Sequence, residues 1–151
     1  MKLISHRGNI KGKNPPMENH PDYIKNSLNK GFDVEIDIWS VDDKFILGHD
    51  KPQYEISENF ILSNYKKLWL HCKDFNSLTT LKDEKYKNVN YFWHESDKVT
   101  ITSKGYFWVY PGHQPMKNSI SVLPELNNDD LSKCIGICSD FIKNYTIFLT
   151  N

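Results

Sequence analysis

Between residues 2 and 94, short apolar stretches alternate with segments of helical pattern, and this rhythm limits the fold more than any other feature of the chain. The stretches lie at 2–6, 32–39, 44–48, 67–72 and 89–94, each bounded by Gly, Pro, Asn, Asp or Ser. The segment HPDYIKNSLNKG between the first two predicts a helix. Pro21 suits the first helical position, Asp22 the positive end, Lys30 the negative end and Gly31 the stop. A second helix is expected over 57–66. A third is capped by Asp74, with Leu78 and Leu81 on one face. Strands separated by helices pair in parallel, because parallel neighbours need a crossover connection. The expectation is therefore an α/β fold with helices outside a largely parallel sheet.

After residue 94 the rhythm is compressed. Strand-like stretches at 99–102, 106–110, 119–123 and 135–138 leave gaps too short for full helices. The ending SDFIKNYTIFLTN spaces Phe141, Ile142, Tyr145, Phe148 and Leu149 as in a helix, so a closing helix is expected, with a last strand as the alternative. No repeat, low-complexity tract or linker divides the chain, and 151 residues make one domain spanning 1–151.

Composition narrows the partners. Nineteen basic and nineteen acidic residues cancel, so the chain lacks the positive excess with which a nucleic-acid binder displaces counterions. No apolar run approaches the ~20 residues of a membrane span, and the start MKLISHRGN is too polar for a signal peptide. Cys72, Cys134 and Cys138 lack the paired spacing of a zinc site and read as reduced, packed thiols. These features together point to a cytoplasmic protein.

The chemistry sits on the strands. Side chains alternate across a strand, so Phe32, Val34, Ile36 and Ile38 share one apolar face while Glu35, Asp37 and Trp39 share the other. Two carboxylates two residues apart on an inward face repel each other and lose hydration unless a cation lies between them. Either a divalent metal or a cationic side chain such as Arg7 or Lys73 resolves the conflict. His71 and Lys73 likewise share a face, opposite Leu70 and Cys72. His6 ends the first strand and His49 follows FILG. Strand C-termini are where open sheets and barrels build their sites.

The ordered set ISHRGN, PPMEN, GFDVEIDIW, FILGHD and LHCK resembles the motifs of the glycerophosphodiester phosphodiesterases, and GICSDF is similar to that family's closing strand. The match is dense over residues 4–50 and thins beyond Lys73. The resemblance implies a TIM-type (β/α)8 barrel, here shortened, with helices missing or reduced in the second half, since the usual barrel has ~250 residues. It implies His6 and His49 as the acid/base pair, Arg7 and Lys73 as phosphate contacts, and Glu35 and Asp37 as ligands of a divalent cation. The substrate would be a small-molecule glycerophosphodiester, cleaved to glycerol 3-phosphate and an alcohol.

Two departures matter. Met17 separates Pro16 from Glu18 and Asn19, which leaves the role of those two residues open. Where the family usually has a third metal-binding glutamate, two residues before the lysine, this chain has His71. Mg2+ and Ca2+ prefer oxygen ligands, whereas imidazole suits Mn2+ and other transition ions better. His71 is expected to coordinate or stand nearby, with Glu95 or Glu125 as alternative oxygen ligands. Trp39, Trp69, Trp93 and Trp108 are expected in the core before the pocket. Homodimerisation is one way to cover a sheet whose outer ring is incomplete.

Overall fold

The computed structural model describes residues 1–149. It is an α/β structure built on a mixed ten-stranded sheet: β1 (Lys2–His6), β2 (Asp33–Val41), β3 (Lys44–Leu47), β4 (Tyr54–Ile56), β5 (Leu68–Cys72), β6 (Asn90–Trp93), β7 (Val99–Ile101), β8 (Phe107–Val109), β9 (Ser119–Val122) and β10 (Gly136–Ser139). Seven strands run parallel in the order β6, β5, β2, β1, β10, β9, β8. The antiparallel strand β7 flanks β8, and the hairpin β3–β4 extends from the C-terminal half of β2.

Three α-helices among the described residues carry the first crossovers: α1 (Pro21–Asn29), α2 (Glu58–Asn64) and α3 (Phe75–Thr80). Each starts where the sequence marks it. Pro21 opens α1, the Ser57 hydroxyl accepts from the Phe60 amide, and Asp74 Oδ1 accepts from the Ser77 amide at 2.9 Å. Such caps satisfy amides that a first helical turn leaves without partners. The second half contains only short 3-10 segments, and the closing segment Ile142–Leu149 is a 3-10 helix rather than an α-helix. It packs Ile142, Tyr145 and Phe148 against Leu3 and Ile137, covering the outer face of β1 and β10. Ser119 on β9 instead donates to the Met116 carbonyl at 2.7 Å, so a loop stands where a helix would.

The period-two reading of β2 holds. Val34, Ile36 and Ile38 are fully buried in a layer with Ile24 of α1, Ile61 of α2, Leu70 and Cys72 of β5, and Leu81 just beyond α3. The opposite face of the sheet gathers Ile4, Trp69, Phe92, Trp108, Ile120, Val122 and Cys138, one or two from each of six parallel strands. The Phe92 and Trp108 rings meet at 4.7 Å although β6 and β8 are far apart in sheet order. No ladder joins β6 to β7 among the described residues. The two edges touch where Thr100 Oγ1 of β7 donates to the Trp93 carbonyl of β6 at 3.0 Å, and just beyond β7 the Ser103 amide donates to the Tyr91 carbonyl at 2.8 Å.

Ile36 is fully buried between β2 and its helices. Ile36→Ala is expected to lower the unfolding free energy by about 2–5 kcal/mol, the range for removing a buried aliphatic side chain and leaving a cavity. Urea titration followed by far-UV circular dichroism measures it.

Of the four tryptophans, Trp69 and Trp108 are core and Trp93 stacks on Phe75 at 5.3 Å. Trp39 anchors a loop instead. Its indole N–H donates to the Gly48 carbonyl at 2.6 Å, fixing the chain after β3. Gly48 adopts a φ of +148°, and a Cβ there would collide with the Lys51 carbonyl oxygen. Glycine is thus required immediately before His49.

Candidate active site

The C-terminal ends of β1, β2, β5 and β10 open into a cleft of about 640 Å³. His6, Arg7, Glu35, His49, His71 and Lys73 all line it, so six of the seven residues singled out in the sequence share one cavity, and Asp37 lies directly behind them, fully buried. Strand register explains the convergence. Pairing His6 with Glu35 and Asp37 with His71 sets two carboxylates between two imidazoles.

Asp37 is the electrostatic centre. Its Oδ2 lies 2.9 Å from Arg7 Nε and accepts from Asn19 Nδ2 at 2.8 Å, while its Oδ1 lies 3.7 Å from Lys73 Nζ. Its backbone amide donates to Asn19 Oδ1 at 2.9 Å. Burial disfavours the ionised form, but the adjoining His71 and the charges of Arg7 and Lys73 outweigh it, and the carboxyl is held well below its usual range. Glu35 shifts the other way. Burial and the Asp37 charge raise it, against the pull of His6 and Arg7.

The Glu35, Asp37 and His71 donor atoms lie within 4.8 Å of one another. His71 Nε2 lies 3.1 Å from the His94 carbonyl, which only accepts, so Nε2 carries a proton and Nδ1 is the nitrogen turned toward the two carboxylates. That nitrogen lies 3.1 Å from Asp37 Oδ1 and 3.8 Å from Glu35 Oε1. Asp37 Oδ1, although so close to His71, is buried without an aligned hydrogen bond. Two carboxylate oxygens and an imidazole nitrogen this close together, with Asp37 Oδ1 unpaired, fit a divalent cation, and the backbone hydrogen bond that orients His71 is the usual support for a ligating imidazole. Neither Glu95 nor Glu125 belongs to this group. Glu95 lines the cleft, whereas Glu125 accepts from Ser139 Oγ at 2.9 Å and the Asp140 amide at 3.2 Å.

His6 has a distinct environment. Its Nδ1 lies 2.7 Å from Asp140 Oδ1, and its Nε2 is 3.9 Å from Glu35 Oε2. Burial alone would lower its pKa, but the Asp140 hydrogen bond and the Glu35 charge raise it. Asp140 is itself held low, because the hydrogen bond and charge of His6 outweigh its burial. An acceptor-only carboxylate fixes Nδ1 as the protonated nitrogen and leaves Nε2 to exchange a proton at the cleft.

No family model matches the chain, and neither the curated proteins nor the solved structures contain a match to it.

His49 stands apart from the buried cluster. It sits on the exposed loop after β3, its Nδ1 2.6 Å from Asp50 Oδ1, at the rim shared by the main cleft and a smaller neighbouring one. Glu18 and Asn19, open in the sequence, both gain roles. Glu18 accepts from Arg7 at 3.2 Å and from Asn9 Nδ2 at 3.0 Å, and Asn19 holds Asp37.

Sequence reasoning missed three contributors. Asp140 was visible as the last polar residue of GICSD, at the C-terminal end of a strand, the same signal that picked His6. Asn9 also donates to Asp140 Oδ1, at 2.8 Å, and nothing in its spacing marks it. His94 stacks on Tyr110 with ring centroids 3.4 Å apart. Burial and the neighbouring His71 bring its pKa down to about 4, so it forms a neutral wall of the cleft. The three cysteines are free and buried, and burial pushes Cys72 up to about 12, which keeps it an unreactive thiol.

Proposed function

We propose that the protein is a metal-dependent phosphodiester hydrolase of the glycerophosphodiester type, built on a reduced (β/α)8-like barrel. The observation that carries the reading is the convergence of Glu35, Asp37 and Nδ1 of His71 beside a carboxylate-oriented His6. The barrel is supported by the single inner layer drawn from six parallel strands and by the contact between the β6 and β7 edges. The ordered motifs of the first 73 residues support the substrate class.

Glu35, Asp37 and His71 would hold the cation, which supplies positive charge against a non-bridging phosphate oxygen. Arg7 and Lys73 carry two further charges to the same anion. Arg7 is preorganised by Asp37 and Glu18, and its side chain is only 15% exposed, so its charge acts in a partly dry site. His6 Nε2 moves the proton on one side of phosphorus and His49, at the rim, on the other. The nucleophile is a hydroxyl of the substrate's own glycerol, which gives up its proton to one histidine as the phosphorus–oxygen bond to the alcohol breaks and the other histidine protonates the departing oxygen; water then opens the cyclic phosphate to glycerol 3-phosphate. The mixed donor set favours Mn2+ over Mg2+ or Ca2+.

The test follows glycerol 3-phosphate release from glycerophosphocholine with Mn2+, Mg2+ or Ca2+ added. Turnover is expected with Mn2+ and is expected to fall to background in His6→Ala and Glu35→Ala. Equal rates in all three proteins would remove the catalytic assignment. Saturable binding without turnover in the parent would instead assign a non-catalytic phosphate-binding barrel. The cleft also has an apolar wall of Trp108, Val122, Leu123 and Leu126, the last 66% exposed. That wall favours a second reading, a relative acting on lipid phosphodiesters. Faster cleavage of a lysophospholipid than of glycerophosphocholine would select it.

A further inference from the structure

A second pocket, of about 330 Å³, lies at the opposite end of the parallel strands, where β1, β5 and β6 begin. Its inner wall holds Asn90, which is 6% exposed and faces Trp69 across the β5–β6 ladder. Both atoms of the Asn90 amide, Nδ2 and Oδ1, are buried with no hydrogen-bond partner. Native interiors satisfy nearly all buried polar groups, and leaving a donor or an acceptor unpaired is expensive. An amide with both sides orphaned, lining a cavity, is therefore directed at something the cavity receives.

The rest of the lining states the chemistry. Lys2, Lys66 and Lys104 surround the opening, and Trp69 and Tyr106 pack together with centroids 4.9 Å apart. Asp33 stands 3.7 Å from Lys2 and accepts the Trp69 indole N–H at 3.1 Å, so one of the three ammonium charges is balanced. Lys66 and Lys104 are exposed and form no ion pair among the described residues, although the Lys104 ammonium donates to the Lys87 carbonyl. The excess charge is positive and calls for an anion. Lys2 Nζ stands over the Trp69 and Tyr106 rings, 5.8 and 5.7 Å from their centroids, and a bare tetrahedral anion accounts for the lysines but does not use a buried group that both donates and accepts. A ligand with vicinal hydroxyls does, because a hydroxyl pair presents one acceptor and one donor to an amide.

We propose that this pocket binds a small phosphorylated polyol, its phosphate at Lys66 and Lys104 and its hydroxyls on the Asn90 amide. The site is separate from the cleft at the C-terminal strand ends and does not depend on the function assigned there.

Titration calorimetry of the whole chain with glycerol 3-phosphate and, separately, inorganic phosphate tests it. Glycerol 3-phosphate is expected to bind the parent and Glu35→Gln alike, at least tenfold more weakly to Asn90→Leu, and at least tenfold more weakly to Lys66→Ala/Lys104→Ala. The lysine pair is exposed, so that variant keeps the test decisive should Asn90→Leu fail to fold. Asn90→Leu, relieved of its unpaired amide, is expected to melt no lower than the parent. Binding lost in Glu35→Gln but kept in the lysine variant would belong to the other cleft and overturn the proposal, as would no binding to the parent. Inorganic phosphate binding as tightly as glycerol 3-phosphate would overturn the polyol assignment.

Discussion

Asp140→Asn is expected to lower kcat by about 10²- to 10⁴-fold, close to the loss from removing His6 itself. The Asp140 carboxylate can only accept, so it fixes the His6 proton on Nδ1. Asn9 already donates to the same Oδ1. An asparagine at 140 placed to keep that bond as an acceptor turns its own amide hydrogens elsewhere, and one placed to donate toward His6 forces the ring into the tautomer with Nε2 protonated. In the first case the ring keeps its tautomer but loses the carboxylate charge that stabilises the imidazolium, and in the second the nitrogen facing the cleft cannot take a proton. The measurement is a cycle of Asp140→Asn, His6→Ala and the double variant. The double is expected to lose no more than His6→Ala alone, since Asp140 acts through the ring. Additive losses would mean that Asp140 touches the substrate independently.

Asp37→Ala is expected to destabilise the fold by about 3–5 kcal/mol, the range for removing one partner of a buried ion pair. The loss comes from what remains: an Arg7 guanidinium 2.9 Å from an empty position and an Asn19 amide deprived of the carboxylate that accepts its N–H. Adding Arg7→Met is expected to restore part of the stability while activity stays at background. Guanidinium titration of the single and double variants separates these effects. A double variant as unstable as the single would place the cost in lost hydrogen bonds rather than in an uncompensated charge.

The parts of the fold legible in the sequence were those with a local cause. Pro21 and Asp74 announced the first and third helices, the second was expected over 57–66, and the alternation of β2 sorted Ile36 from Glu35. The short strand Tyr54–Ile56 was missed because it pairs only as the outer arm of a hairpin on β3, and three residues carry little periodicity. The closing segment was expected as an α-helix and forms a 3-10 helix; its apolar spacing reads similarly for either. The expected barrel is met by an α/β sheet of ten strands in which no ladder closes the ring among the described residues, a matter of long-range pairing that no local pattern encodes.

The site divided in the same way. Residues whose charge conflicted with a strand environment, such as Asp37 and His71, stood out against their neighbours. Asn9 is ordinary in sequence and gains its role only from what stands opposite it, Asp140 carried the strand-end signal but no partner, and Asn19 stood in PPMEN with its role open. His49 shared the cleft as expected but lies on an exposed loop, held by the Trp39 and Gly48 contact rather than by burial.

The alternation along β2 has a consequence beyond the site. A slip of one residue in its pairing would drive Glu35 and Asp37 into the greasy layer beneath the helices and turn Ile36 toward the cationic mouth. Misregistered arrangements are thereby penalised by the same two acids that the native register sets beside His71 and Arg7. In this chain the buried acids double as the key that lets the sheet assemble in a single way.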